Sequence, residues 1–282
     1  GMKANYLPAR NLKLTVDKEA VVRNGIVPES MKDQIVDEIV WRIPDNINYL
    51  YKNDLMLLDF MASNDWTRAV YFTSLSDIKN VLGIDKYLHQ EGLSHRFIPV
   101  VASDYHKDAG GVYIDGSYEL LMADDIRWGN LNLPEVSVDP ESRRNLLFVK
   151  QAYMRLADAL VNRNQNDSAI AVLDRCQEFF PDEKVPYDLY MMAYPEIYYR
   201  AGAMEKGDEL INKIIDNSTD NLRYFSELDD RFIPYYSESI RENLAIINEM
   251  SNVASKYKRT ELANSLNNLL EQEFDKFLSV FN

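Results

Sequence analysis

From Phe148 onward, apolar residues recur at three- and four-residue spacing. Tyr153, Leu156, Ala157 and Leu160 fall on one helical face. Asn164 to Asp167 reads as a polar turn. A second stripe at Ala169, Leu173 and Cys176 runs to Phe180-Pro181, where proline cannot continue a helix. The spacing predicts an antiparallel helix pair. Shifting by 38 residues gives a weaker copy, with Tyr198 under Leu160, Gly207 under Ala169, Ile211 under Leu173 and Ile214 under Cys176. Pro195 stands where Ala157 would be, which predicts a bent or broken helix near Tyr194. A third pair is predicted at 240–256 and 261–281, striped by Leu262, Leu266, Leu269 and Phe277. It shows no repeat signature and is read as the cap that a repeat stack requires.

The first half has a different rhythm. Short β-branched or aromatic runs at 12–16, 39–43, 69–72 and 96–101 read as strands. Helical segments are expected between them at 53–63, capped by Asn53, and at 84–90. This alternation favours a small α/β sheet with parallel members. Residues 108–116 read as a turn and 134–140 as a linker. The expected fold class is α+β: a mixed α/β domain at 1–140, followed by an all-α domain at 141–282.

Charge and composition remove several functions. The chain carries 31 Lys+Arg against 45 Asp+Glu, a net −14 shared evenly between its halves. That is the pattern of a solvated surface and argues against nucleic acid as a partner. One cysteine, Cys176, excludes a disulfide scaffold. No apolar run approaches the roughly 20 residues of a membrane span. The first twenty residues contain no signal peptide, and Gly1 before Met2 reads as a tag remnant. Two origins follow: a cytosolic protein, or a soluble piece of something larger. Eighteen tyrosines, eleven phenylalanines and three tryptophans are the unusual part of the composition. Tyrosine, with an apolar face and a polar tip, suits helix packing and half-wet grooves alike.

Little in the chain resembles catalytic machinery. His89, His95 and His106 have no spacing that brings three or four ligands together, and Cys176 lies in an expected helix core, so no metal or cofactor is predicted. No serine or cysteine has a nucleophile signature. Ala109-Gly110-Gly111 lacks the Lys-Ser/Thr of a phosphate loop and reads as a tight turn. The acid pairs Asp124-Asp125 and Asp229-Asp230 read as exposed surface. Three stretches are less ordinary: Trp66 with Arg68 at a helix-to-strand corner, Tyr87 to Glu91 leading into the strand at Arg96, and Arg127 with Trp128 in a loop. Trp–Arg pairs either lock a domain corner or line a ligand pocket.

Two resemblances rest on these residues. The helix pair from Tyr153 through Ala169, Cys176 and Pro181 is similar to a tetratricopeptide repeat. The runs Asn64 to Phe72, Leu82 to Leu88, Glu91-Gly92-Leu93 and Arg127 to Asn130, with 184–187 after Pro181, resemble the soluble tail of a bacterial multi-pass membrane protein family. The N-terminal part of that family is similar to protein O-mannosyltransferases. The resemblance spans about residues 12–215, and Ala69 stands where the family has proline. It implies a non-catalytic accessory domain on the extracytoplasmic, periplasmic face, joined to the membrane only through an N-terminal region not in this chain. Sugar transfer would belong to that region. The partner would be a protein, peptide or glycan in the tetratricopeptide-like half, with Tyr153, Tyr187, Tyr190 and Tyr194 as candidate contacts. Trp66, Arg68, Tyr87, Glu91, Arg127 and Trp128 are candidates elsewhere. The alternatives are a free-standing enzyme with a pocket near Trp66, Arg68, His89 and Glu91, and a cytosolic repeat scaffold.

Overall fold

The computed structural model describes residues 9–47, 49–74, 83–102, 110–229 and 231–278. His106, Ala109, Asp230, Leu82 and the end of the last expected helix lie outside them. The chain divides into two compact units, Gly1–Leu120 and Leu121–Asn282. The first carries the small sheets and the second is helical, so the α+β class expected from the pattern is what the chain adopts.

In the first unit, β1 (Asn11–Thr15) pairs antiparallel with β2 (Glu38–Arg42), with Leu14 opposite Ile39. Between them, α1 (Lys18–Arg23) is capped by Asp17, whose carboxylate accepts from the Ala20 amide at 2.9 Å. Next comes α2 (Lys52–Ser63). Its cap is Tyr51 rather than Asn53, because the Asp54 carboxylate reaches back to the Tyr51 amide at 2.8 Å.

A four-stranded sheet follows, in the order β3 (Val70–Phe72), β5 (Ser94–Phe97), β4 (Leu88–Glu91) and β6 (Gly111–Val112). All its pairings are antiparallel except β4–β6. The helix expected at 84–90 is instead a 3₁₀ turn, Asp85–Tyr87, leading into β4. Gly92, at φ +63°, starts a two-residue turn that folds β4 onto β5, and this pairing outweighs local helix propensity. The turn expected over 108–116 gives way at its end to β6 and to α3 (Ile114–Leu121). Val21, Ile26, Ile39, Met61, Trp66, Leu88 and Phe97 belong to the core of this unit.

The second unit contains three helix pairs. They are α4 (Pro140–Asn162) with α5 (Asn166–Phe179), α6 (Ala193–Arg200) with α7 (Met204–Ser226), and α8 (Ser237–Lys256) with α9 (Thr260–Lys276). Helix α4 starts eight residues before Phe148, at Pro140, with Asp139 capping the amides of Glu141 and Ser142. The stretch 134–140 therefore ends inside a helix of this unit. Pro195 does not bend a longer helix; it sits in the first turn of α6, where its missing N–H costs nothing.

Each pair turns through three residues in the same way. The middle residue is left-handed: Asn164 at φ +59°, Gly202 at +89°, Lys258 at +59°. The next amide donates back across the turn, Gln165 to Leu160, Ala203 to Tyr198 and Arg259 to Ala254. The left-handed residue's own amide bonds to Val161, Tyr199 or Ser255. This is the Schellman closure of a helix C-terminus. Five residues past each left-handed position stands a small buried residue: Ala169, Gly207, Ala263. The third pair thus carries the same signature, hidden in sequence because lysine holds the place of asparagine and glycine.

The close approach at these small residues is testable. A Cβ on Gly207 would lie 2.4 Å from the Tyr199 ring. Gly207→Ala should therefore destabilise by about 1–3 kcal/mol, although glycine-to-alanine inside a helix normally stabilises. Lys258→Gly should stabilise by about 1 kcal/mol through relief of the left-handed backbone. Urea midpoints of the two variants read both signs.

Candidate functional site

The sequence candidates of the first unit separate across its sheet. Asp65 and Trp66 are consecutive left-handed residues, at φ +45° and +55°, a conformation costing roughly 1–2 kcal/mol each. Bonds around the corner hold it: the Trp66 indole donates to Thr15 O at 3.0 Å, Asn24 donates to Trp66 O at 2.8 Å, and Asn64 donates to Arg68 O at 2.8 Å. The Trp66 ring stacks on Phe97 at 5.8 Å. Trp66 is buried while Arg68 is exposed, so the pair does not stack as a unit. Tyr87 is buried in the same core.

Adjacent strand residues point to opposite faces, so Arg96, next to Phe97, faces away from Trp66. There it clamps Glu91: Arg96 Nη1 lies 3.1 and 3.3 Å from the two Glu91 oxygens, and its other nitrogen donates to Gly25 O. The Tyr71 hydroxyl donates to Glu91 at 2.6 Å, and the Arg96 guanidinium lies 5.7 Å from the Tyr71 ring. Both charged side chains are only 11% exposed. Burial, then the bond to Glu91, pushes the Tyr71 phenol up to about 12. The Tyr71 phenol therefore stays protonated near neutral pH and serves as a hydrogen-bond donor to Glu91. Gly116 fits this clamp because a Cβ there would meet the Tyr113 ring and Glu91. His89 faces Val100 O at 2.9 Å. Trp66, Arg68, His89 and Glu91 therefore do not converge on one pocket.

In the helical unit, Trp128 packs edge-on against Phe180 at 5.1 Å, and Arg127 is exposed beside it. Tyr153, Tyr187 and Tyr194 are buried, whereas Tyr190 is exposed. The four do not form one exposed strip. Tyr153 donates to Leu121 O at 2.9 Å and Tyr194 to Lys150 O at 2.7 Å, with Cys176 Sγ 3.2 Å from the Tyr194 hydroxyl.

Lys150, which sequence reasoning passed over, is the least expected group here. It is 1% exposed and makes no ion pair among the described residues. Its ammonium donates to Val185 O at 2.8 Å and lies 4.4 Å from the centre of the Tyr187 ring. Burial pushes it down to about 8. Only its place in the stripe Tyr153, Leu156, Ala157, read backward along α4, could have flagged it. An open cleft of about 510 Å³ sits at the third turn, lined by Asp208, Asn212 and Lys258 to Leu262. Arg259 forks onto Asp208 there, and Tyr199 donates to the same carboxylate at 2.7 Å. Among the described residues, no cluster of His, Cys, Asp and Glu could hold a metal ion.

Residues 1–115 are similar to the family described as TMEM260-associated domain 2. The likeness covers the first unit and ends before the helix pairs. That family is named for its association with TMEM260, a membrane protein family. No curated protein and no solved structure matches the chain. No helix among the described residues is long and apolar enough to cross a membrane.

The clamp and the buried lysine each generate a test. Glu91→Gln should cost about 3 kcal/mol, because it leaves Arg96 buried without its counter-charge. A stable Glu91→Gln variant would show that the clamp is not what holds the sheet. For Lys150, the folded pKa lies below the unfolded value near 10.5, so the unfolded chain binds the extra proton and the penalty is present below pH 8. Lys150→Met should be more stable than wild type at pH 7 by up to about 3 kcal/mol, less the contribution of the lost bond to Val185 O. That gap should close as pH rises from 8 toward 10.5; a gap independent of pH would mean that folding leaves the lysine's affinity for its proton unchanged.

Proposed function

We infer that the chain is a non-catalytic accessory and interaction domain of a membrane protein related to TMEM260. The observation that carries this reading is the likeness of residues 1–115 to a TMEM260-associated domain. The bonds made by Trp66, Tyr71, Glu91 and Arg96 within the first unit agree with it, since each side chain is tied to another part of that unit. The three helix pairs with matching turns support a tetratricopeptide-like interaction half, because stacked pairs of this kind offer extended binding surfaces. In this reading the domain lies on the extracytoplasmic side of a bacterial inner membrane. Its ligand is a protein, peptide or glycan, and any sugar transfer belongs to the membrane-embedded part.

Two measurements test this. The gene read upstream of the codon for Met2 should encode, in frame, a series of apolar spans of roughly 20 residues each. An ordinary start at Met2 with no such spans overturns the reading. In cells making the full-length protein, an epitope placed in this domain should be cleaved by added protease in spheroplasts. Protection until the inner membrane is ruptured would place the domain in the cytoplasm and reject the side proposed.

A further inference from the structure

The last turn of α7 and its connection to α8 carry an aromatic cluster of which the fold buries only Phe225. Phe225 and Tyr236 stack at 5.2 Å, and Tyr224 meets both rings, at 5.6 and 6.5 Å. Around this base, Tyr235 is 83% exposed, Tyr224 54% and Phe232 43%. Large rings gain most from burial, so three of them grouped in water form a patch of the kind that marks an interaction site. None of the hydroxyls of Tyr224, Tyr235 and Tyr236 makes a hydrogen bond among the described residues.

Charge around the patch selects the partner. Between Asp220 and Glu242 the sequence holds six acids and three arginines. Two of the arginines are engaged locally, Arg223 with Asp220 at 2.8 Å and Arg231 with Asp229 at 3.5 Å. Glu227 and Glu238 are exposed and form no ion pair among the described residues. The patch also displays the contact it would offer: the Arg231 guanidinium lies 4.8 Å from the centre of the Phe232 ring. Aromatic faces attract cations, and arginine most readily. Neighbouring carboxylates add to that field and repel an acidic partner.

We propose that the α7–α8 connection, through Tyr224, Phe232, Tyr235 and Tyr236, docks an extended cationic peptide segment whose arginines lie on the tyrosine rings. This deepens the interaction reading of the helical unit and rests on it. It also moves the contact surface away from Tyr153, Tyr187 and Tyr194, which are buried.

The test uses the whole chain and a fluorescein-labelled peptide of alternating arginine and proline, read by fluorescence anisotropy. Binding is expected, and Tyr235→Ser should weaken it about tenfold, the equivalent of one desolvated cation–π contact. Tyr235 is so exposed that its loss should leave the circular dichroism unchanged. Asp59→Asn, in the first unit, should leave binding as it was, which separates a local site from attraction to the overall charge. No binding, or equal binding by the Tyr235→Ser variant, overturns the proposal. Equal binding of a serine–proline peptide overturns it as well, since charge would then play no part. A change in sedimentation coefficient on Tyr235→Ser would assign the patch to a second copy of the chain and likewise overturn it. If the peptide fails to bind while the upstream gene and protease results hold, the accessory-domain reading survives and only this surface falls.

Discussion

The helical unit depends on one backbone event made three times: a chain reverses in three residues and brings a small side chain against the preceding helix. The left-handed residue closes the helix C-terminus, and the returning amide satisfies a carbonyl that would otherwise face the interior. A small buried residue stands five positions on each time, Ala169, Gly207 and Ala263, and at Gly207 even a Cβ would collide with the Tyr199 ring. The pairs lock to one another largely through tyrosine. Tyr198 accepts from Gln177 at 2.6 Å and donates to Asp174 at 2.8 Å across the first junction. Tyr199 lies 5.1 Å from Tyr257 across the second. Arg200 on Asp158 and Lys256 on Glu196 close the rims of these junctions.

Buried Lys150 follows from this packing. An ammonium in the interior costs several kcal/mol without a partner, and the near contacts of Lys150 are a carbonyl and a ring, with the carboxylates of Asp182 and Asp188 acting on it from farther off. What it holds is Val185, in the connection from α5 to α6. That connection is also gripped by Asn217, which donates to Asp182 at 2.8 Å and to Tyr187 O at 3.0 Å. A segment with little regular structure of its own is thus tied to α4 from one side and α7 from the other. Replacing Lys150 by an apolar residue removes a charge penalty and one tether together, and these oppose each other.

How much of this was legible in the chain differs between the units. The helix pairs were, because three- and four-residue spacing reports directly on a face that must be buried, and the 38-residue offset aligned Asn164 with Gly202. The third pair hid its kinship because lysine can adopt the left-handed state at a modest cost when its side chain is in water. The strands at β1, β2, β3 and β5 were legible from their β-branched and aromatic runs. β4 was not: Asp85 to Glu91 fits either period, and the decision is made at Gly92 by pairing with a strand that follows. Nor could the pattern show that Trp66 and Glu91 end on opposite faces of one sheet. That depends on register, and a shift of one residue would reverse it.

Two chemical populations stand out among the tyrosines. Tyr71, Tyr153, Tyr194, Tyr198 and Tyr199 spend their hydroxyls inside the protein, on Glu91, Leu121 O, Lys150 O, Asp174 and Asp208. Burial pushes these phenols up, so they stay neutral donors across the physiological range. Except at Tyr71, which is 47% exposed, their rings fill the helix junctions and have no face left for a ligand. Tyr190, Tyr224 and Tyr235 are more than half exposed, and none of their hydroxyls makes a hydrogen bond among the described residues. A tyrosine gives a partner apolar area and a polar tip at low entropic cost only when both remain uncommitted. The proposed docking surface therefore uses side chains that add little to the core, and for that reason a hydrophobic-stripe reading of the chain passes over them.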